Sequence, residues 1–173
     1  MKTKKLVMAA LFAALTYVAT SIIKIPTPGT GGYIHPGDAI VILSGIFLGP
    51  VYGGLAAAIG SMLSDLLGGY MNYVPITFVI KGLVAIAAYY AFHAAMKVSK
   101  KMLVGMIASG ICAIILVAGG YFICEIPMYG FGGALASVPA NIVQSFGGLL
   151  ISTVLMSILY QVPDIKALTA EAN

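Results

Sequence analysis

The fold depends on one apolar stretch, DAIVILSGIFLGPVYGGLAAAIGSMLSDLL, which occupies residues 38–67. A helix needs about 20 mainly apolar residues to cross roughly 30 Å of bilayer hydrocarbon, so this stretch is long for one span and short for two. Gly49-Pro50 lies inside it. This dipeptide indicates a turn, because proline favours the first position of the helix that follows.

The lysines settle the number of spans, because Lys collects on the cytoplasmic side of membrane proteins. One cluster, Lys2, Lys4 and Lys5, precedes the first apolar stretch, and a second lies at residues 97–101. Both can be cytoplasmic only if residues 38–67 cross twice. We therefore predict an all-α integral membrane protein: one domain over residues 1–173, a bundle of six transmembrane helices, and both termini in the cytoplasm. The predicted spans are about 6–23, 38–48, 50–67, 75–96, 102–124 and 134–160.

The composition also indicates an integral membrane protein. The chain is 61% hydrophobic and 8% charged, with a mean hydropathy of +1.05, whereas a soluble domain carries roughly a quarter of its residues as charged ones. We expect a multi-pass protein in the lipid bilayer of a bacterial plasma membrane. Nucleic-acid binding is excluded because the sequence has no Arg and no basic stripe. A cleaved signal peptide is the alternative for the first span, but the later spans make a separate signal unnecessary.

Polar groups within the spans are candidate functional residues, because an ionisable group in a bilayer is costly. Asp65 and Lys81 fall at similar depth on neighbouring helices and are expected to form an ion pair. The other candidates also fall in the predicted extracellular half of the bundle. The full set of predicted ligand-binding residues is Tyr33, His35, Asp38, Asp65, Tyr70, Asn72, Tyr73, Lys81, Glu125, Asn141 and Gln144.

Each candidate also has a purely structural interpretation. Asp65 and Lys81 could only fix helix packing, and Asp38 could cap the helix that it opens. The tyrosines could form an interfacial belt in a chain without Trp. Asn141 and Gln144 could be interhelical hydrogen-bonding residues. The sequence leaves these alternatives open.

Small residues mark two helix faces. Gly49, Gly53, Ala57, Ser61 and Asp65 recur every fourth residue, which predicts a face that permits close helix packing and delivers Asp65 to the interior. In the first helix, the pairs Ala9/Ala13 and Ala10/Ala14 have the same spacing. They indicate either ordinary packing or a docking face for another membrane subunit.

Catalytic motifs are missing from the sequence. It contains no His-Glu-x-x-His, no Gly-x-Ser-x-Gly and no Gly-Lys dipeptide, which excludes a phosphate-binding P-loop. We predict that the protein is not an enzyme and has neither a metal site nor a cofactor. The two cysteines, Cys112 and Cys124, lie in one apolar span and are interpreted as packing residues.

Several motifs resemble the substrate-binding (S) components of energy-coupling factor (ECF) vitamin transporters. Residues 30–39, TGGYIHPGDA, resemble the first extracellular loop and the start of the second helix of that family. The resemblance continues through LGPVYGG (48–54), Gly60-Ser61, DLLGGY (65–70) and FVIKGL (78–83), and includes the Ala-rich residues 9–15. It covers about residues 6–90, and the branch resembled contains riboflavin, pyridoxine and hydroxymethylpyrimidine S components.

The resemblance implies capture of a vitamin beneath a lid, residues 24–37, on the extracellular side. It also implies docking through Ala9, Ala10, Ala13 and Ala14 onto a transmembrane coupling protein that is driven by two cytoplasmic ATPase subunits. Tyrosine rings would then stack on a planar ligand. The alternative function is a self-sufficient proton- or ion-coupled secondary transporter that uses Asp65 and Lys81, and a membrane enzyme is a third, weaker possibility.

Overall fold

A computed structural model describes residues 2–27, 29–163, 165–166 and 169. Long apolar helices dominate it, as the sequence predicts. Their bounds are α1, Lys2–Ile22; α2, Asp38–Leu67; α3, Val74–Ser99; and α4, Met102–Leu159. Two short antiparallel strands, β1 (Ile25–Pro26) and β2 (Tyr33–Ile34), connect α1 to α2, and a 3₁₀ helix (Met71–Tyr73) leads into α3.

Helix α2 reverses direction at Gly49, which has φ 80° and ψ 176°. This backbone conformation is essentially restricted to glycine. The Ser44 hydroxyl donates to the Gly53 carbonyl over 3.1 Å, although residues nine apart in a straight helix would lie about 13 Å apart. The two segments therefore fold back on each other next to Pro50, where the sequence indicates a turn.

Helix α4 is interrupted at Gly130, which has φ 73° and ψ 169°. The predicted loop over residues 125–133 is thus helical on both sides of a single break, and the helix before the break is longer than predicted. The two breaks divide α2 and α4 near the predicted span limits. The number of membrane crossings and the side on which the termini lie stay predictions.

The first segment of α2 forms the centre of the molecule. Val41, Ile42, Leu43, Ile46 and Phe47 are fully buried. By contrast, large apolar side chains on the outer faces of α1, α3 and α4 are widely exposed. Apolar side chains thus fill the centre of the bundle and also cover its outer surface, as expected of a protein whose surface faces lipid.

The stripe of small residues packs as the sequence predicts. All five members, Gly49, Gly53, Ala57, Ser61 and Asp65, are buried. Next to the stripe, a Cβ added at Gly60 would collide with the Ala13 carbonyl of α1. The close approach of the helices brings the Asp65 carboxylate into the interior near the end of α2.

The described part of the lid segment, residues 24–27 and 29–37, covers one end of the bundle. A Cβ added at Gly32 would lie 3.3 Å from the Tyr73 hydroxyl, and one at Gly31 would lie 2.8 Å from the Tyr129 hydroxyl. On α4, beyond the break, Ala136 has its Cβ 2.9 Å from the position of a Cβ at Gly29. We call this the lid end of the molecule.

Candidate ligand-binding site

A small polar cavity lies beneath the lid segment, with a volume of about 20 Å³. That space suits about one water molecule, whereas pockets for small-molecule ligands measure about 300–1,000 Å³. A ligand of that size could enter only if the lid and the side chains beneath it moved. The lining residues are Thr27, Gly32, Tyr33, His35, Asp65, Tyr73, Thr77, Tyr121, Glu125, Asn141 and Gln144.

The Asp65 carboxylate connects one wall of this cavity to the lid. The Tyr33 hydroxyl donates to Asp65 Oδ1 over 2.7 Å. Burial raises the pKa of the Tyr33 hydroxyl, so it stays protonated and able to donate. Lys24 supports the arrangement, because its Nζ lies 4.4 Å from the centre of the Tyr33 ring and donates to the Ser64 carbonyl.

Glu125 forms the opposite acidic wall and is 2% exposed. Its Oε1 accepts a hydrogen bond of 2.8 Å from the Tyr73 hydroxyl, and its Oε2 accepts one from the Ser137 hydroxyl. Asn141 lies one turn further along α4, with its amide nitrogen 3.5 Å from the Ser137 hydroxyl. Because Glu125 precedes the Gly130 break and Ser137 follows it, this carboxylate joins the two segments of α4.

Lys81 pairs with Asp38 rather than with Asp65. The Nζ–Oδ1 distance is 2.5 Å, and both side chains are fully buried. The predicted Asp65–Lys81 pair is therefore wrong, because the central first segment of α2 places Asp38 against α3 while Tyr33 of the lid binds Asp65. The capping interpretation of Asp38 is also wrong, since no side chain caps the start of α2.

Two α4 side chains complete the surroundings of Asp38. Gln144 Nε2 and Ser145 Oγ each donate to Asp38 Oδ2 over 3.0 Å. Gly148 allows this approach, because a Cβ there would lie 2.7 Å from the Asp38 Cβ. The buried ion pair consequently holds α2, α3 and α4 together just outside the cavity.

Gln144 also fixes the position of the lid. Its Oε1 accepts the backbone N–H of His35 over 3.1 Å, and His35 Nδ1 in turn accepts the Gly37 N–H over 3.1 Å. Burial, reinforced by the charge of Lys81, lowers the pKa of the His35 imidazole to about 3. His35 is thus neutral, and since Nδ1 accepts, its proton is on Nε2.

Four of the eleven predicted residues do not line the cavity. Asp38 and Lys81 form the ion pair beside it. The Tyr70 ring packs 4.5 Å from the Tyr33 ring, and Asn72 is exposed at the surface. The other seven predicted residues are all in the lining.

The sequence prediction missed Thr27, Gly32, Thr77 and Tyr121, which also line the cavity. The hydroxyls of Thr77 and Tyr121 are 2.8 Å apart and hydrogen-bonded. A signal for both was present: Thr77 lies four residues before Lys81, and Tyr121 lies four residues before Glu125. Residues at that spacing share a helix face. The predicted position of Lys81 therefore indicates that of Thr77, and the predicted position of Glu125 indicates that of Tyr121.

A separate apolar groove of about 630 Å³ runs between α1 and the second segment of α2. The four predicted docking alanines line it together with Leu6, Tyr17, Tyr52, Leu55, Ala56, Ile59, Leu63 and Leu67. Ala10 and Ala14 are exposed, whereas Ala9 and Ala13 are half-buried. The groove shares no lining residue with the polar cavity, and its own lining is almost entirely apolar.

Comparison with known proteins identifies the family. The family described as ECF-type riboflavin transporter, S component, matches residues 1–161. This chain belongs to that family. The S component is therefore a membrane protein, and the resemblance predicted from the sequence motifs is confirmed.

Two relatives and one solved structure are also similar to this chain. A Pyrococcus woesei protein described as an uncharacterized protein in gap 3′ region is 33% identical over 134 residues, covering 78% of this S component and 86% of that protein. The thiamine precursor transporter HmpT of Lactococcus lactis subsp. cremoris (strain MG1363) is 31% identical over 161 residues, covering 90% and 87%. A solved structure described as the S component of a bacterial ECF transporter has a similar fold, with a TM-score of 0.69, 21% identity, and 93% and 98% coverage.

Proposed function

We propose that this S component captures a water-soluble vitamin or vitamin precursor at the extracellular face of a bacterial plasma membrane. The candidates are riboflavin, pyridoxine and hydroxymethylpyrimidine. The observation that carries the proposal is the polar, tyrosine-lined cavity enclosed by the lid segment at one end of an apolar bundle. HmpT, a relative of the chain, is described as a thiamine precursor transporter, which favours a small heteroaromatic ligand.

The chemistry of the cavity suits a planar and polar solute. Tyr33, Tyr73 and Tyr121 line the cavity, and aromatic side chains stack favourably on planar aromatic ligands. Asp65, Glu125 and Asn141 offer acceptors and donors at fixed positions around those rings. A few polar groups in a mainly enclosed pocket are the usual means of orienting such a ligand.

The proposed route into the cell depends on partners. In the predicted orientation, the lid end faces outward and the lysine clusters face the cytoplasm. The alanine groove on α1 would then be the contact for a transmembrane coupling protein driven by two cytoplasmic ATPase subunits. No P-loop is present in this sequence, so ATP-driven import requires a separate motor.

Calorimetry of the purified protein against riboflavin, pyridoxine and hydroxymethylpyrimidine tests capture directly. We expect one of the three to bind with one molecule per chain and micromolar or tighter affinity. Failure of all three to bind more tightly than in the high micromolar range would refute the proposal. The alternative, a proton- or ion-coupled secondary transporter, predicts instead that this chain alone moves its solute across a bilayer.

A further inference from the structure

We infer that Asp65 is the specificity-determining acceptor of the site and that it binds an N–H or O–H donor of an uncharged or cationic heteroaromatic ligand, selecting it over its anionic phosphate ester. This inference rests on the proposed function and adds the chemical class of the ligand. The observation behind it is the buried Oδ2 oxygen of Asp65, which has no hydrogen-bond partner among the described residues.

Asp65 has an unused hydrogen-bond acceptor. The residue is 4% exposed and lines the cavity. Its Oδ1 accepts from Tyr33, but its Oδ2 is buried and makes no hydrogen bond to any described part of the chain. The Thr77 hydroxyl, which also lines the cavity, is hydrogen-bonded to the Tyr121 hydroxyl, and either of the two can be the donor. A buried acceptor without a partner is unfavourable, and a ligand donor would remove that penalty.

The other two buried acids of the described chain differ in this respect. Both oxygens of Glu125 accept hydrogen bonds, from Tyr73 and Ser137. Asp38 is paired with Lys81 and also accepts from Gln144 and Ser145. Of the three, only Asp65 has an oxygen that accepts no hydrogen bond from the described residues.

The charge around the cavity determines which ligands are rejected. Two carboxylates, Asp65 and Glu125, line it, and no lysine is among the lining residues. Lys81 is bound to Asp38, and Lys24 packs on the rings of Tyr33 and Tyr70. A phosphate would contact two carboxylates, whereas Lys24 and Lys81 act on the cavity only from outside its lining, so we expect it to bind roughly 100-fold more weakly.

The tyrosines favour the same class of ligand, an uncharged or cationic heteroaromatic compound. An aromatic ring face attracts cations and partly positive ring edges, and Tyr33, Tyr73 and Tyr121 all border the cavity. A flat heterocycle that carries an amino or hydroxymethyl group would satisfy both the rings and Asp65 Oδ2. Such a ligand is a free vitamin or precursor, not its phosphorylated form.

The experiment compares dissociation constants for each probe and its phosphate ester: hydroxymethylpyrimidine, pyridoxine and riboflavin, each with its monophosphate. For whichever probe binds the wild-type protein, we expect the ester to bind about 100-fold more weakly. Asp65→Asn should weaken the unphosphorylated probe at least about tenfold, because hydrogen bonds to charged groups are the stronger ones. The matched variant Glu125→Gln, whose oxygens already bond to the protein, should weaken it less.

The outcomes separate this inference from the proposed function. Absence of binding by all three unphosphorylated probes would overturn both. Binding of a probe together with equal or tighter binding of its ester, or unchanged binding by a folded Asp65→Asn variant, would overturn only the Asp65 inference. If Asp65→Asn does not fold, the affinity of the wild-type protein for the ester, relative to the unphosphorylated probe, tests the Asp65 inference.

Discussion

At the scale of single residues, the stability of the fold depends strongly on the buried Lys81–Asp38 pair. Both side chains are fully buried, and the ammonium and carboxylate lie 2.5 Å apart. The desolvation of two such charges is repaid only while the pair is intact and its remaining hydrogen bonds are made. Gln144 and Ser145 supply those bonds to Asp38.

We therefore expect Lys81→Met to destabilise the protein by about 3–5 kcal/mol, because it leaves the Asp38 charge buried and unpaired. The double variant Asp38→Asn/Lys81→Met should recover much of that loss, since neither charge is then left alone. Denaturant unfolding in detergent micelles measures both. Equal instability of the single and double variants would contradict the role given to the pair.

His35 gives the lid a dependence on pH. Its pKa is lowered by burial to about 3, against about 6.5 when it is free in solution. Because the pKa is lower when His35 is buried under the closed lid, protonation of His35 favours an open lid in which the imidazole is exposed to water. The contribution of neutral His35 to lid closure is therefore complete above pH 6.5 and is lost as the pH falls toward 3. We expect ligand affinity to fall about tenfold between pH 7.5 and 5.5.

Titrations at several pH values measure this effect, with His35→Asn as the control. The Asn side-chain oxygen can replace Nδ1 as the acceptor of the Gly37 N–H but does not titrate. Affinity of the variant should stay nearly flat over the same range. A wild-type protein that shows no more pH dependence than this variant would rule out His35 as the titrating group.

At the scale of elements, the breaks in α2 and α4 shape the site. Gly49 reverses α2 so that the central segment begins at Asp38 and the second segment returns toward Asp65. Gly130 allows Ser137 to reach back to Glu125. Both acidic walls of the cavity thus depend on a glycine that interrupts a helix.

Gly49→Ala should destabilise the protein by about 1–3 kcal/mol, because its φ and ψ are essentially closed to residues with a Cβ. Gly119→Ala is the matched control, since Gly119 is within the helical part of α4 and a Cβ there meets nothing within 4 Å. That change should be neutral or stabilising by up to about 1 kcal/mol. Comparable losses in both variants would argue against a strained reversal at Gly49.

The elements also show what a sequence can specify. The reversal at Gly49-Pro50 and the interior position of Asp65 were predictable, because a turn dipeptide and a four-residue stripe are local signals. The pairing of Lys81 was not, since it depends on which helix packs beside α3. Tyr70 and Asn72 lie outside the cavity lining for a related reason: the sequence of a connecting segment shows that it is polar but not the direction in which each side chain points.

At the scale of the whole molecule, the polar cavity and the apolar groove are separate sites. The cavity involves the lid, α2, α3 and α4, whereas the groove involves only α1 and α2. Ligand capture and partner docking can therefore be altered independently. This separation agrees with a binding subunit that relies on an external motor.

Ala10→Leu/Ala14→Leu should fill the groove without loss of folding, because both alanines are exposed. We expect ligand affinity in calorimetry to be unchanged and uptake by cells that contain the coupling proteins to be abolished. Val79→Phe, which adds bulk at an exposed position on α3, should leave both unchanged. Wild-type uptake by the alanine double variant would refute the docking role of the groove.

In the proposed function, this chain binds the vitamin and other subunits supply the energy for import. Uptake of the bound vitamin into liposomes tests it most directly, with this chain reconstituted alone or together with a coupling protein and two ATPases. We expect ATP-dependent uptake in the complete system and none by this chain alone, with or without a proton gradient. Uptake by this chain alone that follows a proton gradient would refute the need for separate subunits and establish a secondary transporter.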